Sequence, residues 1–165
     1  MMPSLRPITP EDHDAVVAVN ERFVHLTAAM DHRRLAELVA ASDRADVVDV
    51  DGEFAGFVIT FAAGAAYDGT HFAWFAERYR DYCYLDRIVI DQPFQRRGLG
   101  TFVYDALESA CARPVLALEV NIDPPNEPSL AFHRARGYVE VGLEGTEDHR
   151  VVLMTKTFGE QSRPL

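Results

Sequence analysis

Only two cysteines, Cys83 and Cys111, occur in 165 residues, which supports neither a disulfide framework nor a four-thiolate metal site. Both read as buried thiols. No apolar run is long enough to span a bilayer: the stretch from Phe54 to Tyr67 is too short and is broken by Gly56 and Gly64. An excess of basic residues is lacking too. The 16 Lys and Arg against 26 Asp and Glu leave a formal net charge of −10, which argues against a nucleic-acid backbone as partner and suits a cationic substrate such as an amine. His13, His25, His32, His71 and His149 fall at no ligand spacing of the H-E-x-x-H kind, so no metal site is expected. The start, Met1 to Arg6, meets Pro3 and then acidic residues where a signal peptide would need an apolar core, so a cytoplasmic location and no membrane partner are expected. Internal repeats and low-complexity tracts are absent from the sequence.

What is present is a globular composition, 48% hydrophobic and 10% aromatic, sized for one domain over residues 1–165. Leu5 to Ile8 reads as a first strand. Thr9, Pro10, Glu11 and Asp12 then combine a capping hydroxyl, a first-turn proline and acidic residues, predicting a helix to about Asn20. A second helix is expected from about His32 to Ala41, with Leu35, Leu38 and Val39 on one face. Asp46 to Val50 and Phe54 to Phe61 read as a hairpin around the turn pair Asp51-Gly52, with Gly56 marking a bulge. From His71 to Tyr84 aromatics concentrate, and the first part of that segment suits a short helix. Tyr82 to Ile90 is a long central strand, and Thr101 to Ala112 a helix showing Phe102, Val103, Ala106, Leu107 and Ala110 at helical spacing. Val115 to Val120 is a buried strand, Pro128 to about Arg136 a short helix stopped by Gly137, and Tyr138 to Leu143 with Val151 to Phe158 a final hairpin. This order predicts a mixed α/β architecture around one central sheet.

Between the central strand and its helix lies Gln95-Arg96-Arg97-Gly98-Leu99-Gly100. Gly98 and Gly100 let the backbone turn tightly and approach an anion, while the next helix offers unpaired N-terminal amides and its positive dipole end. The loop therefore suits a pyrophosphate. It lacks the Lys-Ser/Thr of a nucleoside-triphosphate loop and the three-glycine spacing of the dinucleotide fingerprint. Taken whole, Asp86 to Gly100 resembles the cofactor motif of the GNAT superfamily of N-acetyltransferases. Asn126 to Tyr138 resembles that superfamily's second motif, an Asn, a short helix with an aromatic or polar residue, then Gly137-Tyr138, and Leu118-Glu119-Val120 is similar to its fifth strand.

The resemblance implies a single GNAT-like domain whose mixed, mostly antiparallel sheet of about six to seven strands is flanked by about four helices. It implies acetyl-CoA as donor and CoA as product. The pyrophosphate would rest on Gln95, Arg96, Arg97, Gly98, Leu99, Gly100 and Thr101, and the pantetheine arm would pair with Ile88, Val89 and Ile90, with Asn126, Phe132 and His133 contributing further contacts. Direct transfer needs a neutral amine, a carbonyl polarised by a main-chain donor, and a proton for the departing thiolate. Asp86 is the favoured base, with an ion pair to an arginine as its alternative role, and Glu119 is the close competitor. His133 is the favoured acid, with Tyr84 in reserve; Asn126 has helix capping as its alternative. The expected reaction is acetylation of a primary amine on a small-molecule or peptide acceptor. A non-catalytic acyl-CoA sensor is the rival reading, and a C-terminal edge strand is compatible with a homodimer.

Overall fold

The computed structural model describes residues 1–123 and 125–158. Its frame is a seven-stranded mixed sheet in the order β1-β2-β3-β4-β5-β7-β6, built from β1 (Pro3–Pro7), β2 (Arg44–Val50), β3 (Glu53–Ala62), β4 (Cys83–Ile90), β5 (Val115–Asp123), β6 (Val139–Gly145) and β7 (Arg150–Thr157). The described residues also form five α-helices: α1 (His13–Arg22), α2 (His32–Ala41), α3 (Thr70–Ala76), α4 (Leu99–Ala110) and α5 (Glu127–Ala135). Short 3-10 turns at Pro10–Asp12 and Gln92–Phe94 lead toward α1 and α4. The neighbours β1–β2, β2–β3, β5–β7 and β6–β7 are antiparallel, whereas β4 and β5 pair in parallel at Cys83↔Leu116 and Tyr84↔Ala117. None of the described helices is long and apolar enough to cross a membrane.

Two compact units make up the chain. The first holds Met1–Phe61, Ala65–Tyr67 and Leu85–Ala110; the second holds Ala62–Gly64, Asp68–Tyr84 and the residues from Cys111, so β4 changes unit after Tyr84.

In the first unit, β1 runs along the sheet edge, where its terminal prolines need donate nothing to a ladder. The strand starts two residues earlier than expected, and Arg6 from it grips both oxygens of Asp12 at 2.8 and 2.9 Å. The same carboxylate accepts the Thr9 N–H at 2.8 Å, so the first part of the predicted helix becomes a 3-10 turn and α1 proper begins at His13. The Asp51-Gly52 turn forms with both residues at positive φ, 52° and 87°, as a two-residue antiparallel hairpin demands. Gly56 has a tighter duty than a bulge alone. The register does shift beside it, between Val48 and Asp49, and a Cβ on Gly56 would overlap the Val89 carbonyl of β4. The core includes Val16 and Val19 of α1, Leu35 and Leu38 of α2, Val47 and Val48 of β2, and Phe57 and Ile59 of β3, each contributing about 1.5–3 kcal/mol by leaving water. Helix α4 begins two residues before the predicted start and buries Leu99, Val103, Tyr104 and Leu107; Ala110, its last residue, is exposed.

The second unit centres on β5 and β7, where Val115, Leu116, Ala117 and Leu118 and then Val151 to Met154 are buried in unbroken runs. Such runs mark strands covered on both faces. β5 continues past the predicted end at Val120 to Asp123, with a register shift between Asn121 and Asp123. β6 forms the other sheet edge with Val139 and Leu143 exposed. Helix α3 has only seven residues, too few to hold itself together, and is seated by its rings: Phe72 and Phe75 are buried against Tyr82 and Tyr84 at centroid distances of 5.6 to 6.1 Å.

Candidate active site

At the end of β4 the Asp91 side chain accepts the Gln92 N–H and opens the 3-10 turn, and the Gln95 amide donates to the Ile90 carbonyl at 2.9 Å. The chain then turns through two left-handed residues, Arg96 at φ 62° and Gly98 at φ 77°. For arginine that conformation carries a cost of about 1–2 kcal/mol, the sort of local strain that accompanies binding loops. Gly98 supplies the carbonyl for the first bond of α4, from the Phe102 N–H at 3.0 Å, which leaves the amides of Leu99, Gly100 and Thr101 as the helix's orphan first-turn donors. A Cβ on Gly98 or Gly100 would meet nothing within 4 Å, so the backbone faces open space at both positions. Arg96 and Arg97 are exposed, the latter with its guanidinium 5.5 Å from the Phe94 ring centroid. This donor-rich, positively charged and uncovered backbone fits a diphosphate group. Upstream on β4, Ile88 and Ile90 are half-buried and Val89 is buried.

Asp86 sits in a dense polar cluster of the first unit. Its Oδ2 accepts the Arg87 Nε–H at 2.9 Å, its Oδ1 accepts the Tyr67 hydroxyl at 2.5 Å, and both charged side chains are nearly closed to solvent, 5% for Arg87 and 7% for Asp86. Arg87 donates further to the Asn20 side chain and the Ala28 carbonyl, anchoring the segment between α1 and α2. Tyr67 stacks on Phe61 at 3.9 Å; burial first, and then the Asp86 charge, push its phenol well above the ordinary tyrosine value, so it stays a donor. The ion-pair role for Asp86 is therefore the one its contacts display.

Glu119, in the second unit, has different company. Tyr84 donates its hydroxyl to Oε1, and His71 Nδ1 lies 2.6 Å from Oε2. These side chains are partly open, 21% for His71 and 26% for Glu119. Helix α3 carries His71, and the helix is held by a further clasp: Trp74 lies so close to the backbone of Gly142 that a Cβ there would come within 2.5 Å of the indole, while Arg78 stacks on the indole at 3.9 Å.

His133, on α5, is buried, with Nδ1 2.7 Å from the Ser129 carbonyl and its ring edge-on to Tyr138 at 5.5 Å. A carbonyl only accepts, so Nδ1 carries a proton; the Ser129 hydroxyl lies 3.3 Å from the same nitrogen. Asn126 stands at the N-cap of α5 through its backbone, donating to Asn121 and accepting from Leu130, but its side chain makes no capping hydrogen bond. Phe132 is half-buried with Arg136 over its ring at 5.7 Å.

The structure thus brings Tyr84 to Glu119 and Asp86 to Arg87 and Tyr67. His71 and Tyr67 were not singled out by sequence as members of these clusters. A histidine opening an aromatic-rich segment was a signal available for His71; for Tyr67, in a Gly- and Ala-containing stretch, there was none. Among the described residues no group of three or more His, Cys, Asp or Glu side chains could hold a metal ion.

The family model for "Acetyltransferase (GNAT) family" matches residues 11–138. Similar solved structures include a GNAT acetyltransferase from Streptococcus pneumoniae, 22% identical, with a TM-score of 0.68, covering 96% of this chain and 100% of that one. Arabidopsis thaliana Naa50, in complex with the bisubstrate analogue CoA-Ac-MVNAL, is 13% identical with a TM-score of 0.71 over 96% of this chain and 100% of its own. An aminoglycoside acetyltransferase in complex with coenzyme A is 19% identical with a TM-score of 0.71 over 98% of this chain and 96% of its own.

Proposed function

The chain belongs to the acetyltransferase (GNAT) family, and from that premise we propose that it moves the acetyl group of acetyl-CoA directly to a primary amine, with residues 1–165 acting as one acetyltransferase domain. The observation that carries this reading is the loop from Gln95 to Thr101: a left-handed turn at Arg96 and Gly98 feeding the open first-turn amides of α4. Those amides hold the pyrophosphate, Arg96 and Arg97 add charge, and the backbone of Ile88, Val89 and Ile90 pairs with the pantetheine arm. Acetyl-CoA supplies an activated thioester. Solved relatives in complex with coenzyme A and with a CoA-peptide bisubstrate analogue support the donor.

The amine proton is taken up at the cluster centred on Glu119. Asp86 is disfavoured because its charge is matched by a buried guanidinium that never gives up its proton. Glu119 is partly open and held by two groups that can exchange protons. His133 serves the departing sulfur from Nε2 in its imidazolium form, because the neutral ring with its proton on Nδ1 has none to give there. The acceptor is a cationic small molecule or a peptide amino terminus, consistent with the net charge of −10.

Calorimetric titration of acetyl-CoA into the purified protein tests the donor. Binding on the order of micromolar is expected. Release of CoA thiol on adding amines then identifies turnover; absence of acetyl-CoA binding would remove the reading and leave the glycine loop a structural turn.

A further inference from the structure

We propose that Arg96 and Arg97 form a second phosphate subsite beside the open amides of α4, one that reads the 3′-phosphomonoester of coenzyme A and so sets a preference for CoA over its 3′-dephospho form. This rests on the acetyltransferase reading above and adds a specificity to its donor. The first-turn amides of Leu99, Gly100 and Thr101 are three donors at the positive end of one helix, which suits the diphosphate. Coenzyme A carries one more phosphate, on its ribose, with a charge of about −1.5 to −2 at neutral pH. That group needs donors of its own.

Two properties of the loop supply them. The first is charge. In a chain of 26 Asp and Glu against 16 Lys and Arg, arginines near the loop are matched by carboxylates: Arg22 holds Asp91 at 2.9 Å, and Arg87 holds Asp86. Arg96 and Arg97 are exposed and, among the described residues, neither has a carboxylate partner. Asp91, five and six positions before them, is already engaged, its side chain accepting from Arg22 and from the Gln92 N–H. Two unmatched guanidinium groups side by side repel each other, and a bound anion relieves that repulsion.

The second is conformation. Arg96 is left-handed at φ 62°, where glycine or asparagine would sit at less cost, so the turn alone does not call for an arginine. Arg97 lays its guanidinium 5.5 Å from the Phe94 ring centroid. Phe94 is itself fixed, because it closes the 3-10 turn with its N–H bonded to the Asp91 carbonyl at 2.9 Å. An arginine resting on a ring has lost part of its rotamer freedom yet keeps its N–H edge, so it takes two phosphate oxygens with less ordering left to do. Arg97 is the principal donor and Arg96 the second.

The test is calorimetry on the full-length protein with two probes, CoA and 3′-dephospho-CoA, at one fixed ionic strength. Wild type should bind CoA at least about tenfold more tightly than the dephospho form, the worth of a hydrogen bond to a charged group. Arg97→Gln should bring that ratio to about two or less. Arg96→Asn keeps a residue suited to the left-handed turn and should lower the ratio about threefold, with the melting temperature unchanged or higher. Arg33→Gln, an equal change of net charge on α2, should leave the ratio as it is. A wild-type ratio near one would overturn the inference. So would Arg97→Gln weakening both probes alike, which would assign the arginines to the diphosphate, or an equal fall of the ratio in Arg33→Gln, which would make it an effect of overall charge. Failure of both probes to bind would instead remove the acetyl-CoA donor itself.

Discussion

Two carboxylates that the sequence offered as rival bases, Asp86 and Glu119, occupy opposite chemical situations. Asp86 is paired with Arg87, whose guanidinium is nearly sealed from solvent and also bonds Asn20 and Ala28. Glu119 is partly exposed and bonds a phenol and an imidazole. A carboxylate married to a buried, permanently charged arginine balances charge and pins chain segments together. One whose partners titrate can take part in proton transfer. The two carboxylates differ in their partners, a permanently charged arginine for one and a phenol with an imidazole for the other.

Four changes would break or sharpen that contrast. Glu119→Gln should cut kcat by about 10²- to 10⁴-fold while thermal unfolding stays near wild type, measured by steady-state CoA-thiol release and a melting curve. Asp86→Asn should do the reverse: stranding Arg87 without its counterion should cost about 3–5 kcal/mol in denaturant unfolding, with kcat per folded molecule nearly retained. Equal kinetic damage from both would erase the distinction. Tyr84→Phe removes one donor to Glu119 and should lower kcat by roughly tenfold, the worth of about one hydrogen bond to a charged group, without changing acetyl-CoA affinity by calorimetry.

The smallest effect comes from a third carboxylate, Asp12, which the Arg6 guanidinium holds down at about 2 from an ordinary 3.8. Its folded value is depressed, so its stabilisation is present above about pH 4 and is lost as pH falls toward about 2. Arg6 is 41% exposed, and solvent screening keeps the contribution to no more than about 1–2 kcal/mol. Asp12→Asn should flatten stability against pH across that interval in acid titrations of unfolding free energy.

Much of the fold was legible because it depends on local chemistry. Asp51-Gly52 forms its hairpin turn since that pair accepts positive φ at both positions, and α2 matches its predicted limits of His32 and Ala41 because Leu35 and Leu38 repeat on one face. Boundaries shifted where a side chain from elsewhere intervened, as when Asp12 bonded to Arg6 and turned the start of the first helix into a 3-10 segment. The glycine loop was likewise readable, its left-handed turn at Gly98 being a property of a few consecutive residues.

The sequence by itself determined the α/β class, the anion-suited loop from Gln95 to Thr101 and the list of carboxylates available for chemistry, since these follow from spacing and composition over short stretches. Only the tertiary structure decided which carboxylate met which partner. Residue 86 found residue 67 and residue 119 found residues 71 and 84 across 19 to 48 positions of chain, and no pattern along a single segment encodes a hydrogen bond made between segments.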